Sequence, residues 1–306
     1  MKKQGLGYIY LINTVLFFST YEAVSKTLVN KIDPFQINFI RFLVGGLILF
    51  IYIIFTDRIG ISKKDFIQVV IIGVINVVIS MNLLQMSLYM TNSKASVIAV
   101  IFSSNPIFVS IFSAIIDKEK ITVQKLWGLI LGLIGILVIF FEKLDFSGMD
   151  YLSPLLALLS AAFYGLYTVI GRRVSLRIGS LKMNSYSSIA GSMVLLPFLV
   201  VFKLPILKFD YSGMLQVVYL SIFVTGLAYL SYFKGLSITG ASSGSLVFFI
   251  KPALASILAL IFLHEQLTVN LIFGTFLIIG GILISIYWYE IHEKLCQIFG
   301  GLFKKT

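Results

Sequence analysis

One cysteine, Cys296, stands in a chain of 306 residues. A thiol with no second thiol in the chain forms no internal disulfide, so nothing covalent cross-links this fold. Histidine is almost as scarce: His264 and His292 are the only two, at no ligand spacing, and they make no metal site with the lone cysteine. H-E-x-x-H, the Walker lysine motif and G-x-G-x-x-G are missing as well, which removes the usual signs of zinc-protease, nucleotide-hydrolysing and dinucleotide chemistry. The expectation is a chain with no resident metal and no cofactor.

Charge is thin too. Charged residues make up 12% and apolar residues 58%, with a mean hydropathy of +1.00, against roughly a quarter charged in soluble proteins. Such a chain has too little polar surface to stay dissolved and reads as an integral membrane protein. Hydrocarbon offers a backbone amide no partner, so the spans are helices or a closed barrel, and a helix needs about 20 apolar residues to cross. The apolar runs are long and lack the alternation of barrel strands. Ten spans follow, at 7–29, 35–56, 67–90, 95–116, 123–141, 153–174, 183–202, 213–237, 241–263 and 269–289. The first resembles a signal peptide, with Lys2 and Lys3 ahead of it, but it contains Glu22 and no small-residue cleavage pattern.

The second half of the chain repeats the first at a constant offset. Phe17, Tyr21, Gly45, Ala95, Ser96, Pro106, Glu119, Thr122, Val123, Gly128 and Gly135 return, 146 residues later, as Phe163, Tyr167, Gly191, Ala241, Ser242, Pro252, Glu265, Thr268, Val269, Gly274 and Gly281. The domain reading is a five-helix repeat over 1–146, a second over 147–289, and a cytoplasmic tail over 290–306, possible as an interfacial helix. An odd number of crossings turns one copy upside down relative to the other, the symmetry that many secondary transporters use.

A net charge of +11 suggests nucleic acid in a soluble protein, so the distribution of the charges decides. Lys2, Lys3, Arg58, Lys63, Lys64, Lys118, Lys120, Lys125, Arg172, Arg173, Arg177, Lys182, Lys294, Lys304 and Lys305 fall on one side of the ten spans. The other side holds Lys26, Lys31, Lys94, Lys143, Lys203 and Lys208. The positive-inside rule puts both termini in the cytoplasm of a multi-pass cell-membrane protein, with the lipid bilayer and not nucleic acid as the partner of the basic excess.

An enzyme reading has one motif in its favour, Gly240-Ala241-Ser242-Ser243-Gly244, which matches the G-x-S-x-G of a nucleophile elbow. That motif belongs on a strand-to-helix turn, whereas here it opens an apolar helix with no strand before it, so packing or cavity lining is the expected role and no enzyme is expected. Glu119 and Glu265 both precede a Thr-Val that opens the next helix, which reads as a membrane-edge turn with negative charge at a helix start. The glycines of spans five and ten leave smooth faces for helix packing inside the bundle or across a homodimer.

Several of these features together resemble the drug/metabolite transporter superfamily, EamA type. Arg41-Phe42-Leu43 opens the second span, Ala95-Ser96 the fourth, a proline sits in mid-span four and nine, and Glu119 and Glu265 are followed by Gly128 and Gly274. The resemblance covers almost the whole chain. It implies an all-α integral membrane fold of ten transmembrane helices in two inverted five-helix repeats around a central cavity. It also implies movement of small organic solutes such as amino acids, nucleotide-related metabolites or drugs, often outward. Many members carry Trp-Gly in mid-span one, where this chain has Phe18-Ser19-Thr20-Tyr21-Glu22.

That departure puts a carboxylate into the membrane. A charge at mid-bilayer costs about 2.5 to 3.5 kcal/mol on insertion scales, so Glu22 needs water or a partner. Lys26, one turn on, offers a purely structural i,i+4 pair. Lys251, before Pro252 in the apolar run Leu246-Val247-Phe248-Phe249-Ile250, offers the functional alternative, because proline frees a carbonyl where the helix bends. A carboxylate and a cation at similar depth suit the two ends of an amino acid. The expected substrate-binding set is Glu22, Lys251, Tyr21, Tyr167, Asn105, Tyr164, Asn82 and Tyr229, with Asn105 favoured as the repeat mate of Lys251. The functional expectation is an exporting secondary carrier of amino acids or similar zwitterions, with protons as a coupling ion if Glu22 changes its protonation. A carrier of cationic or hydrophobic drugs, and a membrane sensor or accessory subunit that moves nothing, are the alternatives.

Overall fold

The computed structural model describes residues 2–56, 60–90, 93, 95–143, 152–207, 211–254, 257–258 and, between 269 and 284, positions 269–270, 272–274, 276–277, 279–281 and 284. His264, Glu265, His292, Cys296, about half of the tenth span and the 290–306 tail lie outside the described residues. Helices account for the regular structure, and no strand occurs among the described residues.

Helix starts follow local chemistry. Asp33 accepts from the backbone amides of Phe35 (2.9 Å) and Gln36 (3.2 Å), and Pro34 takes the first position of α3 (Pro34–Thr56), where its missing N–H costs nothing. Ser62 caps α4 (Lys63–Gly73) by accepting from the Asp65 amide at 3.1 Å and donating to the Asp65 carboxylate at 2.7 Å. These two turns put α3 and α4 where the apolar pattern expects spans two and three.

Interruptions inside the spans are less visible in sequence. Span one is two helices, α1 (Lys2–Phe18) and α2 (Tyr21–Lys26), parted at Ser19 and Thr20. The two hydroxyls donate to the carbonyls of Val15 (2.7 Å) and Phe17 (2.7 Å), which also accept from the Ser19 and Thr20 amides at 2.9 and 3.2 Å. Span three runs through α4, a π-helical stretch Val74–Ser80 and α5 (Met81–Tyr89). Span four breaks between α6 (Ala95–Phe102) and α7 (Asn105–Ile116). After α8 (Val123–Lys143), α9 (Leu152–Ile178) and α10 (Ser180–Val201), a second π-helical stretch, Leu220–Ala228, separates α11 (Met214–Tyr219) from α12 (Tyr229–Thr239). The two π stretches start at Val74 and Leu220, 146 residues apart, so the repeat extends to backbone irregularities. Span nine begins as α13 (Ala241–Ser245) and tightens to a 3-10 turn over Leu246–Ile250 ahead of Lys251.

Packing crosses between the halves. α1 lies on α12 and α5 on α9; α3 lies on the Leu220–Ala228 stretch and α10 on Val74–Ser80; α3 and α10 pack on each other. Each of the first pairings recurs with the two halves exchanged. Among the described residues, six helices are long and apolar enough to cross a membrane by themselves: Pro34–Thr56, Lys63–Tyr89, Val97–Ile116, Leu152–Ile178, Ser180–Val201 and Tyr211–Thr239. Their outward faces leave Ile51, Phe55, Phe66, Ile115 and Val201 exposed, a surface suited to lipid and not to water. At one end of the bundle Arg177 pairs with Asp65 at 2.7 Å and Arg173 with Asp117 at 2.6 Å. Lys26 anchors at the other end, donating to the Leu88 carbonyl (2.8 Å) and to Ser93 (2.7 Å). These contacts agree with the two-sided grouping of basic residues in the sequence.

The glycine face of α8 is used inside the bundle. A Cβ on Gly132 would stand 2.4 Å from the Phe249 ring, and one on Gly281 3.0 Å from the Gly128 carbonyl. A close helix crossing joins α4 to α10, where a Cβ on Gly191 would meet the Gly73 carbonyl at 2.6 Å and one on Gly73 would clash with the Ser187 carbonyl. Backbone cannot yield as a side chain does, so Gly191→Ala should cost about 1–3 kcal/mol and lower the melting temperature of the detergent-purified protein. Gly5→Ala, with nothing within 4 Å of the new methyl, should leave it unchanged.

Candidate functional site

The interruptions converge on the centre. Glu22 lies in the first turn of α2, just past the Ser19 and Thr20 break, and Lys251 follows the 3-10 turn that disturbs span nine. The Lys251 ammonium donates to Glu22 Oε1 in a direct ion pair, and both side chains are at most 2% exposed. Lys26 is committed to Leu88 and Ser93, so the intramolecular partner of Glu22 is Lys251 and not its helical neighbour. The pair ties the first span to the ninth. Its repeat mates are Thr168 and Asn105, both neutral: Thr168 meets the Tyr232 hydroxyl at 3.3 Å, and Asn105 donates to the Phe102 carbonyl at 3.0 Å. The duplicated scaffold therefore holds charge at only one of its two equivalent crossings.

A third ion stands beside the pair. Arg41, on α3, is 1% exposed, and its Nε donates to Asn38 Oδ1 at 2.9 Å. Its guanidinium carbon lies 4.6 Å from the ring centre of Tyr21 and 4.5 Å from that of Phe42, a stacking arrangement suited to a weakly hydrated planar cation. Sequence reading had Arg41 only as part of a family motif near the start of a span, because nothing local tells a snorkelling arginine from an inward one. The signal that could have marked it is its position, inside a run with no other charge between Pro34 and Thr56.

Around these ions lies a cavity of about 20 Å³ for the centre of a water-sized sphere, room for about one water. Tyr21, Arg41 and Lys251 give it polar wall, and Phe18, Phe102, Tyr164 and Tyr229 give it rings. Lys251 Nζ sits 4.7 Å from the Phe102 ring centre. Tyr164 packs against Tyr167 at 5.4 Å and Tyr229 at 6.3 Å between ring centres. Tyr21 donates to Gln85 Oε1. A larger space, about 670 Å³, opens sideways between α2 and α11 along Val24, Leu215 and Phe223; it has no charged wall, so the charged centre is the better candidate site.

Of the residues expected from sequence, Glu22, Lys251, Tyr21, Tyr164 and Tyr229 meet at this centre. Tyr167 stands one ring behind, against Tyr164 and Tyr229. Asn82 accepts from Asn38 Nδ2 at 2.7 Å and donates to the Val78 carbonyl at 3.1 Å, so it holds α5 to α3 and braces the Asn38 that orients Arg41. Asn105 lies off the cavity wall, with its Oδ1 buried and without a partner. Lys234 is exposed, 5.7 Å from the Tyr10 ring centre, away from the centre. Ser242 shares a 3.1 Å hydrogen bond with Ser110 and has helix, not strand, before it, so G-x-S-x-G joins two helices here. No group of metal-ligating side chains occurs among the described residues.

Membrane-length apolar helices around a buried, charged centre define a polytopic membrane protein with an internal polar site. The comparisons give the particular family: the profile of the EamA-like transporter family matches residues 5–141 and again 152–287, and the chain belongs to that family. It is a transporter, not an enzyme. A Clostridium kluyveri protein named uncharacterized transporter is 35% identical over 294 residues, covering 92% of this chain and 93% of the relative. The uncharacterized transporter YoaV of Bacillus subtilis is 28% identical over 294 residues, covering 95% and 99%. A crystal structure aligns at TM-score 0.77 and 18% identity, over 94% of this chain and 98% of its own, which shows a shared fold.

Removing one partner of a buried ion pair strands the other charge at a cost of about 3–5 kcal/mol, whereas removing both is far milder. Glu22→Gln and Lys251→Met should each lower the thermal stability of the purified protein. The Glu22→Gln/Lys251→Met double variant should recover most of the loss, and additive losses in the melting curves would show that the two groups are not coupled.

Proposed function

We propose that this chain is a secondary carrier of small charged organic solutes, working by alternating access of two inverted five-helix repeats, 1–146 and 147–289, with a ten-helix bundle in the cell membrane. The observation that carries the reading is the Glu22–Lys251 ion pair, buried between the first span of one half and the ninth of the other. Exposing the centre to either face requires these spans to part, and a solute that offers its own charges replaces the contact that is lost. Binding and opening are then one event.

Three features support it. The broken helices α1/α2 and α6/α7 and the 3-10 turn before Lys251 supply hinge points, since irregular backbone at membrane depth belongs where it lines a cavity. The reciprocal packing of α1 on α12 and α5 on α9 suits two units that rock against each other. The small volume of the central cavity suits a state between the two open ones. Export is the proposed direction, with both termini cytoplasmic, as the basic excess at the Arg173 and Arg177 end requires under the positive-inside rule.

In proteoliposomes, charge-neutral Glu22→Gln and Lys251→Met variants that remain monodisperse should lose at least about tenfold in solute counterflow, as expected for groups worth 1.5 kcal/mol or more to a bound charged solute. Wild-type rates in both variants would overturn the site. Reporter fusions at the N-terminus and after Thr306 should both read cytoplasmic; opposite readings would exclude an even number of crossings.

A further inference from the structure

The charges of the centre do not sum to zero. Glu22 and Lys251 cancel, and a proton passed from Lys251 to Glu22 leaves their sum unchanged. Arg41 adds one positive charge that no such transfer removes, since a guanidinium stays protonated in proteins. It is buried at 1% exposure, and its Nε spends itself on a neutral amide. Among the described residues, no carboxylate lies within 4.0 Å of its nitrogens. Two aromatic faces soften the cation without neutralising it. A net charge of this kind at membrane depth is costly until a counter-charge arrives.

The unpaired atoms point the same way. Arg41 Nη2 and Gln85 Nε2 are buried donors with no acceptor; Glu22 Oε2 is a buried acceptor with no donor, and the Tyr164 hydroxyl has no partner. The free donor on the fixed cation, Arg41 Nη2, is the group a carboxylate oxygen accepts from, and Glu22 Oε2 is left as an acceptor for a hydroxyl or ammonium on the same molecule.

We infer that the solute binds as a net monoanion, with a carboxylate on the Arg41 guanidinium beside the undisturbed or opening Glu22–Lys251 pair. The inference rests on the central site proposed above and narrows its substrate class. A hydroxy monocarboxylate or an amino acid with an acidic side chain brings the centre to zero. A zwitterion leaves it at plus one, and a cation raises it to plus two. The zwitterion expected from sequence balanced Glu22 and Lys251 alone, and Arg41 changes that sum.

The test is thermal stabilisation of the purified full chain at fixed ionic strength by L-lactate, phenyllactate and L-glutamate, set against L-phenylalanine, L-glutamine and choline. The monoanions should raise the melting temperature most. Arg41→Gln should weaken their binding by about tenfold or more, as loss of a charge-assisted contact predicts, while Arg41→Lys, which keeps the charge, should retain part of it. Glu22→Gln makes the centre more positive and should shift preference toward the dianion succinate; this variant carries the test if Arg41→Gln does not fold. Stabilisation by phenylalanine or choline equal to that by the anions, and lost in Glu22→Gln, overturns the monoanion inference and leaves the central site standing. Anion stabilisation unchanged in Arg41→Gln, Glu22→Gln and Lys251→Met overturns both. Absence of stabilisation by all three monoanions at millimolar concentration overturns the inference.

Discussion

In hydrocarbon there is no water to accept a stray hydrogen bond, and each irregular feature of this protein is shaped by that constraint. Where span one breaks, Ser19 and Thr20 turn their hydroxyls back onto the carbonyls of Val15 and Phe17 and so find partners within their own span. Where α5 meets α3, Asn38 and Asn82 bond each other and nearby carbonyls. Where charge enters the interior, Lys251 meets Glu22. The same rule gives meaning to the exceptions. Buried atoms without a partner occur in several places in the bundle, but only at the centre do they include two ions, Glu22 Oε2 and Arg41 Nη2, side by side with Gln85 Nε2, and charged groups left open together mark where another molecule fits.

The duplicated scaffold has been specialised on one side. Two backbone irregularities are shared: the π stretches start 146 residues apart, and Pro106 and Pro252 stand at matching disturbances in spans four and nine. The break at Ser19 and Thr20 is not shared, since its mates Gly165 and Leu166 lie inside the unbroken α9. The charge is not shared either. Glu22 and Lys251 occupy positions whose mates are Thr168 and Asn105, so the broken helix and the ions stand together at one of the two equivalent crossings. This division suits a carrier better than a static bundle, in which paired charges at mid-depth cost stability and return nothing.

Much of the centre was legible before the fold was known, and for a definite reason. A carboxylate or ammonium within an apolar run is conspicuous because hydrocarbon excludes it, so Glu22 and Lys251 could be named from their neighbours alone. Tyr21, Tyr164 and Tyr229 followed from depth and repeat position. Arg41 escaped because a long cationic side chain near a span end usually reaches out to the interface, and only the packing of α3 against its neighbours turns this one inward. Asn105 was favoured by symmetry with Lys251, but its amide bonds the carbonyl three residues back; symmetry of position does not carry over to the direction of a short side chain.

The sequence by itself determined the membrane class, the helical state, the positions of the six membrane-length helices among the described residues, the duplication and the two charges that need an explanation. Those properties depend on hydrophobicity and spacing along the chain, which are local and additive. Only the tertiary structure decided that Glu22 pairs with Lys251 and not Lys26, that Arg41 joins them, and that the α8 glycines are consumed within the bundle. The choice between Lys26 at i+4 and Lys251, 229 residues away, is set by which helices cross and at what depth. Crossing depends on close approaches such as that of Gly73 to Gly191, and no stretch of sequence read alone contains that information.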